Sequence, residues 1–118
     1  MRKTKMDSMI ALAKKGTSAV AEAVRDALVP LHGSLVIYGE KFTAALTKRG
    51  LVIANKHGAK SITCTVLVKN KDGEVVIARG QTQAKGTALP KDATELRALE
   101  EEALLQACEA HLRETVKP

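Results

Sequence analysis

The amino-acid sequence predicts an α+β fold: an antiparallel sheet centred on a hairpin over residues 61–83, with N-terminal and C-terminal helices packed on one face. Three observations carry that expectation. Ile62, Cys64, Val66 and Val68 alternate with Thr63, Thr65 and Lys69, a period of two rich in β-branched residues. Apolar residues recur at helical spacing on both sides of that segment. The chain has 118 residues, 45% hydrophobic and 27% charged, which reads as one domain able to form a core without disulfides or metals.

The elements follow in order. Residues 1–5 read as a disordered basic tail carrying Arg2, Lys3 and Lys5. Residues 6–29 read as helix, with Ile10, Ala13, Val20, Val24, Ala27 and Leu28 near helical spacing. Gly16, Thr17 and Ser18 interrupt that run, and Ser18 is placed to cap a second segment. Pro30 ends it, because the residue before a proline avoids helical geometry. His32-Gly33-Ser34 reads as a turn and Leu35-Val36-Ile37-Tyr38 as a short strand. Glu40 to Lys48 reads as a helix with Phe42, Ala45 and Leu46 on one side, stopped by Gly50. Leu51-Val52-Ile53-Ala54 reads as strand, with a continuing helix the open alternative, and Asn55 to Lys60 as polar loop.

The hairpin itself turns at Asn70-Lys71-Asp72-Gly73, an Asp-Gly step between two apolar runs. Its return strand, Glu74 to Gln83, is expected to place Val75, Ile77 and Arg79 on one face. A Gly/Lys/Thr loop leads to Pro90. Asp92 and Glu95 then form a capping-box variant, opening a helix to about residue 115. Leu96, Leu99, Ala103, Ala107 and Ala110 make its apolar stripe, widened by Leu104 and Cys108.

Charge is unevenly placed. Residues 1–89 carry fifteen Lys/Arg and six Asp/Glu, a net charge of +9. Residues 90–118 carry four Lys/Arg and seven Asp/Glu, a net charge of −3, so the acidic side chains gather on the last helix. A basic body attracts polyanions, of which nucleic acid is the commonest in a cell. Tyr38 and Phe42 are the only aromatic residues, so an array of base-stacking platforms is excluded and binding must lean on phosphate contacts.

Other chemistry finds little footing. Cys64 and Cys108 lie in apolar patterns without a C-x-x-C spacing, which predicts two buried free thiols. His32, His57 and His111 are too dispersed to suggest a metal site. Glu100, Glu101 and Glu102 are adjacent and fan around the helix. In the loop beginning at Gly80, the order Lys85-Gly86-Thr87 is out of register with a phosphate-binding Gly-Lys-Ser/Thr. No strand–Ser–helix elbow is present. The start Met-Arg-Lys-Thr-Lys has no apolar run behind it, and no apolar stretch approaches a membrane span, so the expected location is the cytoplasm. The chain is expected not to be an enzyme and to need no cofactor.

One family resemblance rests on element order. A helix runs into Leu46-Thr47-Lys48-Arg49-Gly50-Leu51-Val52-Ile53. The hairpin Ile62-Thr-Cys-Thr-Val-Leu-Val-Lys69 with return Gly73-Glu-Val-Val-Ile-Ala78 follows, then a Gly/Lys loop and an Ala-rich helix. Over about residues 40–112 this resembles the core of phage Erf-type single-strand annealing proteins. The resemblance implies binding of single-stranded DNA along a basic groove, often as rings, with strand pairing that needs no nucleotide cofactor. It also implies that Lys69, Arg79 and Lys85 line that groove. The chain departs from the family in its near-absence of aromatic residues and in lacking the usual Gly-Asp-Lys before the last helix. The hairpin and helix are similar as well to the end of double-stranded-RNA-binding domains, but three strands are expected there, and the last helix starts Pro90-Lys91-Asp92 where a Lys-Lys pair is expected.

The expected function is therefore a non-enzymatic, sequence-tolerant nucleic-acid-binding protein, with single-stranded DNA favoured, RNA the alternative, and homo-oligomers an accompanying expectation. Lys56, Lys60, Lys69, Lys71, Arg79, Gln81 and Lys85 are the candidate contact residues, converging if the polar loop, the hairpin and the 79–85 segment form one groove. The competing expectation is a protein–protein adaptor or oligomeric assembly component that docks through the acidic C-terminal helix.

Overall fold

The structure, a computed structural model, describes residues 5–31 and 39–115. The strand expected over 35–38, the turn at His32, and the tail residues Arg2 and Lys3 lie outside the described residues. The fold is α+β, with four α-helices and a three-stranded antiparallel sheet. The chain divides into two compact units, residues 1–51 with 111–118, and residues 52–110.

The first unit is helical. Helix α1 (Lys5–Lys15) and helix α2 (Ala19–Leu28) are separate, and α1 packs on α2. The break falls where Gly16-Thr17-Ser18 predicts it. Ser18 is extended, and its hydroxyl accepts from the Ala21 amide at 3.1 Å, satisfying one of the orphan donors of a helix start. A 3-10 turn, Val29–Leu31, holds Pro30 after α2, and Val29, expected to leave helical geometry ahead of the proline, keeps it with φ −58 and ψ −45. Helix α3 (Gly39–Lys48) packs on α2 in turn. Met9, Ile10 and Ala13 of α1, Val20, Val24 and Leu28 of α2, and Phe42 and Leu46 of α3 are all buried. Gly50 stops α3 with φ +83, donating to the Thr47 carbonyl at 2.9 Å.

The second unit is a sheet with a helix. Strand β1 (Leu51–His57), strand β2 (Ser61–Asn70) and strand β3 (Gly73–Gln83) lie in the order β1-β2-β3. The stretch 51–54 is strand, and the strand continues through Asn55, Lys56 and His57, which were expected as loop. Those residues are exposed on an edge strand, where polar side chains are tolerated because only one side of the ladder is covered. Helix α4 (Ala93–Thr115) follows the loop after β3.

The hairpin register runs from Ser61↔Gln83 to Asn70↔Gly73, leaving Lys71 and Asp72 at the tip. Gly73 takes φ +123, a conformation no side-chain-bearing residue adopts among the described residues. The register slips once: Val66 pairs with Ala78 and Leu67 with Val76, so Ile77 is an extra residue in a β-bulge. The bulge corrects the expected face. Val75 pairs with Val68, Arg79 pairs with Thr65, and one-residue slippage puts Val75 and Arg79 on opposite faces.

One face of the hairpin is buried through Ile62, Cys64, Val66, Ala78, Gly80 and Thr82. That face lies against α4, since Gly80 meets the backbone of Ala103 and Ala107. The buried stripe of α4 is Ala103, Leu104, Ala107, Cys108 and Leu112. Ala110, expected in that stripe, is exposed, although it stands seven residues from Ala103 and so nearly in line with it. Asp92 caps α4 by accepting from the Thr94 amide at 3.3 Å. Glu95 makes no return bond among the described residues and stays exposed.

Candidate nucleic-acid interface

The face of the sheet turned away from α4 is polar at the end around Thr63 and Thr65, and apolar farther along at Leu67 and its partner Val76. Alternation along β2 presents Thr63 and Thr65, and their β3 partners are Gln81 and Arg79. Lys56 on β1 shares this face, because His57, the next residue, points the other way and bonds Glu100 of α4. These side chains bound one shallow depression of about 600 Å³, lined by Lys56, Thr63, Thr65, Arg79, Gly80 and Gln81. Among the described residues no carboxylate lines it. Lys56 and Arg79 are exposed and make no ion pair among the described residues.

Three of the seven expected contact residues, Lys56, Arg79 and Gln81, thus meet in one place. Lys60, Lys71 and Lys85 do not line it, and the side chain of Lys69 lies outside the described residues. Lys60 sits in the β1–β2 turn, where its carbonyl accepts from the Ala84 amide at 2.8 Å. Lys85 is near that end of the hairpin but lines a different depression, with Glu95 and Glu102 of α4. Lys71 is at the opposite tip, about 30 Å along a ten-residue strand. Lys69 pairs with Glu74 in the register. Sequence reasoning did not single out Thr63 and Thr65 as contacts. Their signal was the alternation itself, which puts hydroxyls on whichever face the helix leaves open.

The chemistry available is hydrogen bonding and charge. Two cations, two hydroxyls and an amide can donate to phosphate oxygens. The thiols are elsewhere. Cys64 and Cys108 are free and buried. Burial pushes the Cys64 thiol up to about 11, with the Glu100 charge adding to it. Cys108 is raised further by burial, then by Cys64. Both stay protonated at neutral pH. No group of three His, Cys, Asp or Glu side chains that could hold a metal occurs among the described residues.

Electrostatics distinguish the two units. Residues 52–110 hold eight Lys/Arg and eight Asp/Glu, a net charge of zero, so the whole excess of +6 falls on the helical unit. Within the sheet unit, Lys56 and Arg79 are on the open face, while five of the eight acidic residues, Glu95, Glu100, Glu101, Glu102 and Glu109, are on α4. In the helical unit Arg49 hydrogen-bonds Asp26, and its second branch lies 3.5 Å from Glu22. The bond to Asp26 and that carboxylate's charge raise the Arg49 pKa above its ordinary value, with Glu22 contributing less. Arg49 is therefore engaged in closing α3 onto α2.

No helix among the described residues is long and apolar enough to cross a membrane. Compared with protein-family models, with curated proteins and with solved structures, the chain finds no match.

Proposed function

We propose that this protein is a non-enzymatic nucleic-acid-binding protein that holds the phosphate backbone across the open face of its sheet. The observation that carries the reading is the convergence of Lys56, Arg79 and Gln81 with Thr63 and Thr65 in one depression that no carboxylate lines among the described residues. Cations and neutral donors on a pleated surface suit a repeating anionic chain, and the lack of aromatic residues there suits contacts to phosphate over contacts to bases. Single-stranded DNA is the favoured form, with RNA the alternative; a single strand bends to a flat sheet more readily than a duplex. Two free thiols are in keeping with the reducing environment of the cytoplasm.

Fluorescence anisotropy of the full chain against labelled single- and double-stranded oligonucleotides tests the reading. The expected result is binding that weakens steeply between low and moderate salt, with a preference for the single strand. Absence of binding at low salt, or binding indifferent to salt, overturns it.

A further inference from the structure

Two helices carry the same spacing with opposite charge. On α3, Lys41, Ala44, Ala45 and Lys48 fall at i, i+3, i+4 and i+7, one face of a helix. On α4, Glu95, Ala98, Leu99 and Glu102 fall at the same intervals. The exposure matches position by position: both charged ends and the first alanine are exposed, while Ala45 and Leu99 are half-buried. Each stripe forms a wall of its own shallow depression. The α3 depression adds Arg25, Val29 and Pro30, and the α4 depression adds Lys85, Ala88 and Pro90. Lys41, Lys48, Arg25, Glu95 and Glu102 make no ion pair among the described residues. Asp26, a carboxylate at the α3 depression, is held by Arg49.

We propose that the α3 stripe of one copy docks on the α4 stripe of a second copy, making a head-to-tail contact between identical chains. Seven residues span about 10 Å on either helix, so Lys41 and Lys48 meet Glu95 and Glu102 in register, whichever way the helices run. The small residues between the charges let the helix axes approach to the usual 8–10 Å, about the separation of ordinary packed helices. Leu99 supplies the apolar centre, covered by Ala44 and Ala45. Because the two surfaces differ, the contact is heterologous, and each copy offers one donor and one acceptor stripe. Charge complementarity of this kind sets partner choice and register more than raw affinity. The proposal does not rest on nucleic-acid binding.

Sedimentation equilibrium of the full chain at about 0.1 M and about 1 M salt reads the association, since screening lengths fall from about 10 Å to about 3 Å over that range. Association at the lower salt that weakens at the higher is expected. The double variants K41E/K48E and E95K/E102K each change exposed residues only, and circular dichroism confirms their folding. Each alone should associate at least about tenfold more weakly than the parent, whereas mixing the two, or combining all four changes in one chain, should restore association. A parent chain that is monomeric at the lower salt overturns the proposal. So does association that survives both double variants, or one that mixing fails to restore. Loss of oligonucleotide binding in K41E/K48E with association unchanged also overturns it and assigns the α3 stripe to nucleic acid.

Discussion

Gly80 and Ala107 meet backbone to backbone: a Cβ built on Gly80 would stand 2.5 Å from the Ala107 amide nitrogen and would also strike the Ala103 carbonyl oxygen. Both obstacles are main-chain atoms of α4, so no side-chain rotation relieves them. The closest approach of helix to sheet therefore depends on a residue without a side chain. Gly80→Ala should cost about 1–3 kcal/mol, because α4 must lift away from the strand to admit the methyl group. Urea denaturation checks this, and a loss within about 0.5 kcal/mol of the parent would show that α4 does not lie this close.

That relationship was partly legible beforehand. A lone glycine in a strand pattern signals a bulge or a close backbone approach, but Gly80 precedes a Gly/Lys/Thr segment and reads equally well as the start of a loop. The hairpin was legible because Ile62, Cys64 and Val66 alternate cleanly with threonines. The bulge at Ile77 was not, because Val75-Val76-Ile77-Ala78 is a continuous apolar run with no alternation to slip. Asn55-Lys56-His57 was hidden for a different reason: an edge strand with polar side chains has the composition of a loop. The candidate site shows the same division. Lys56, Arg79 and Gln81 converge because strand pairing brings residues 23 to 25 positions apart onto one face, whereas Lys71 and Lys85 are carried off by the turn and by the loop. Spacing along the chain carries no information about such pairings until the register is known.

Thr82 offers a cleaner energetic test. It is 6% exposed on the face against α4, and its hydroxyl has no hydrogen-bond partner among the described residues. A buried donor left unsatisfied costs about 1–3 kcal/mol, and replacing it by an apolar group of the same shape removes that cost. Thr82→Val keeps the β-branched outline that a strand favours. It should raise stability by about 1 kcal/mol in urea denaturation; a loss would mean that the hydroxyl is satisfied in solution.

The thiols predict a limit at alkaline pH. Cys64 is held protonated up to about 11 by burial, against an ordinary value of 9.0, and Cys108 is shifted in the same direction. In the unfolded chain both ionise near their ordinary value. The folded state therefore binds more protons than the unfolded state once pH passes about 9. The slope of unfolding free energy against pH is negative there, so stability is intact below that pH and falls as pH rises toward 11. Thermal melts from pH 8 to 11 should show this decline, and it should be shallower in the double variant Cys64→Ala, Cys108→Ala, whatever that variant's baseline. An equal slope in parent and variant would place the loss in other groups.

Lys56 and Arg79 separate a positioned binding face from a general attraction to polyanions. Both line the open-face depression, both are exposed, and neither contributes an ion pair to the fold among the described residues. Removing one should leave stability within about 0.5 kcal/mol of the parent. Each side chain that neutralises a phosphate adds about 0.7 to the slope of log affinity against log salt on a single strand. Lys56→Ala and Arg79→Ala should each lower that slope by roughly this amount, and the double variant by about twice as much. Lys14→Ala on α1, far from the sheet in sequence and equally exposed, serves as the control for net charge alone. If the three single variants lower the slope alike, oligonucleotides respond to the total charge of +6 and the sheet face has no special role. If only the two sheet residues do, the depression they share is where the backbone lies.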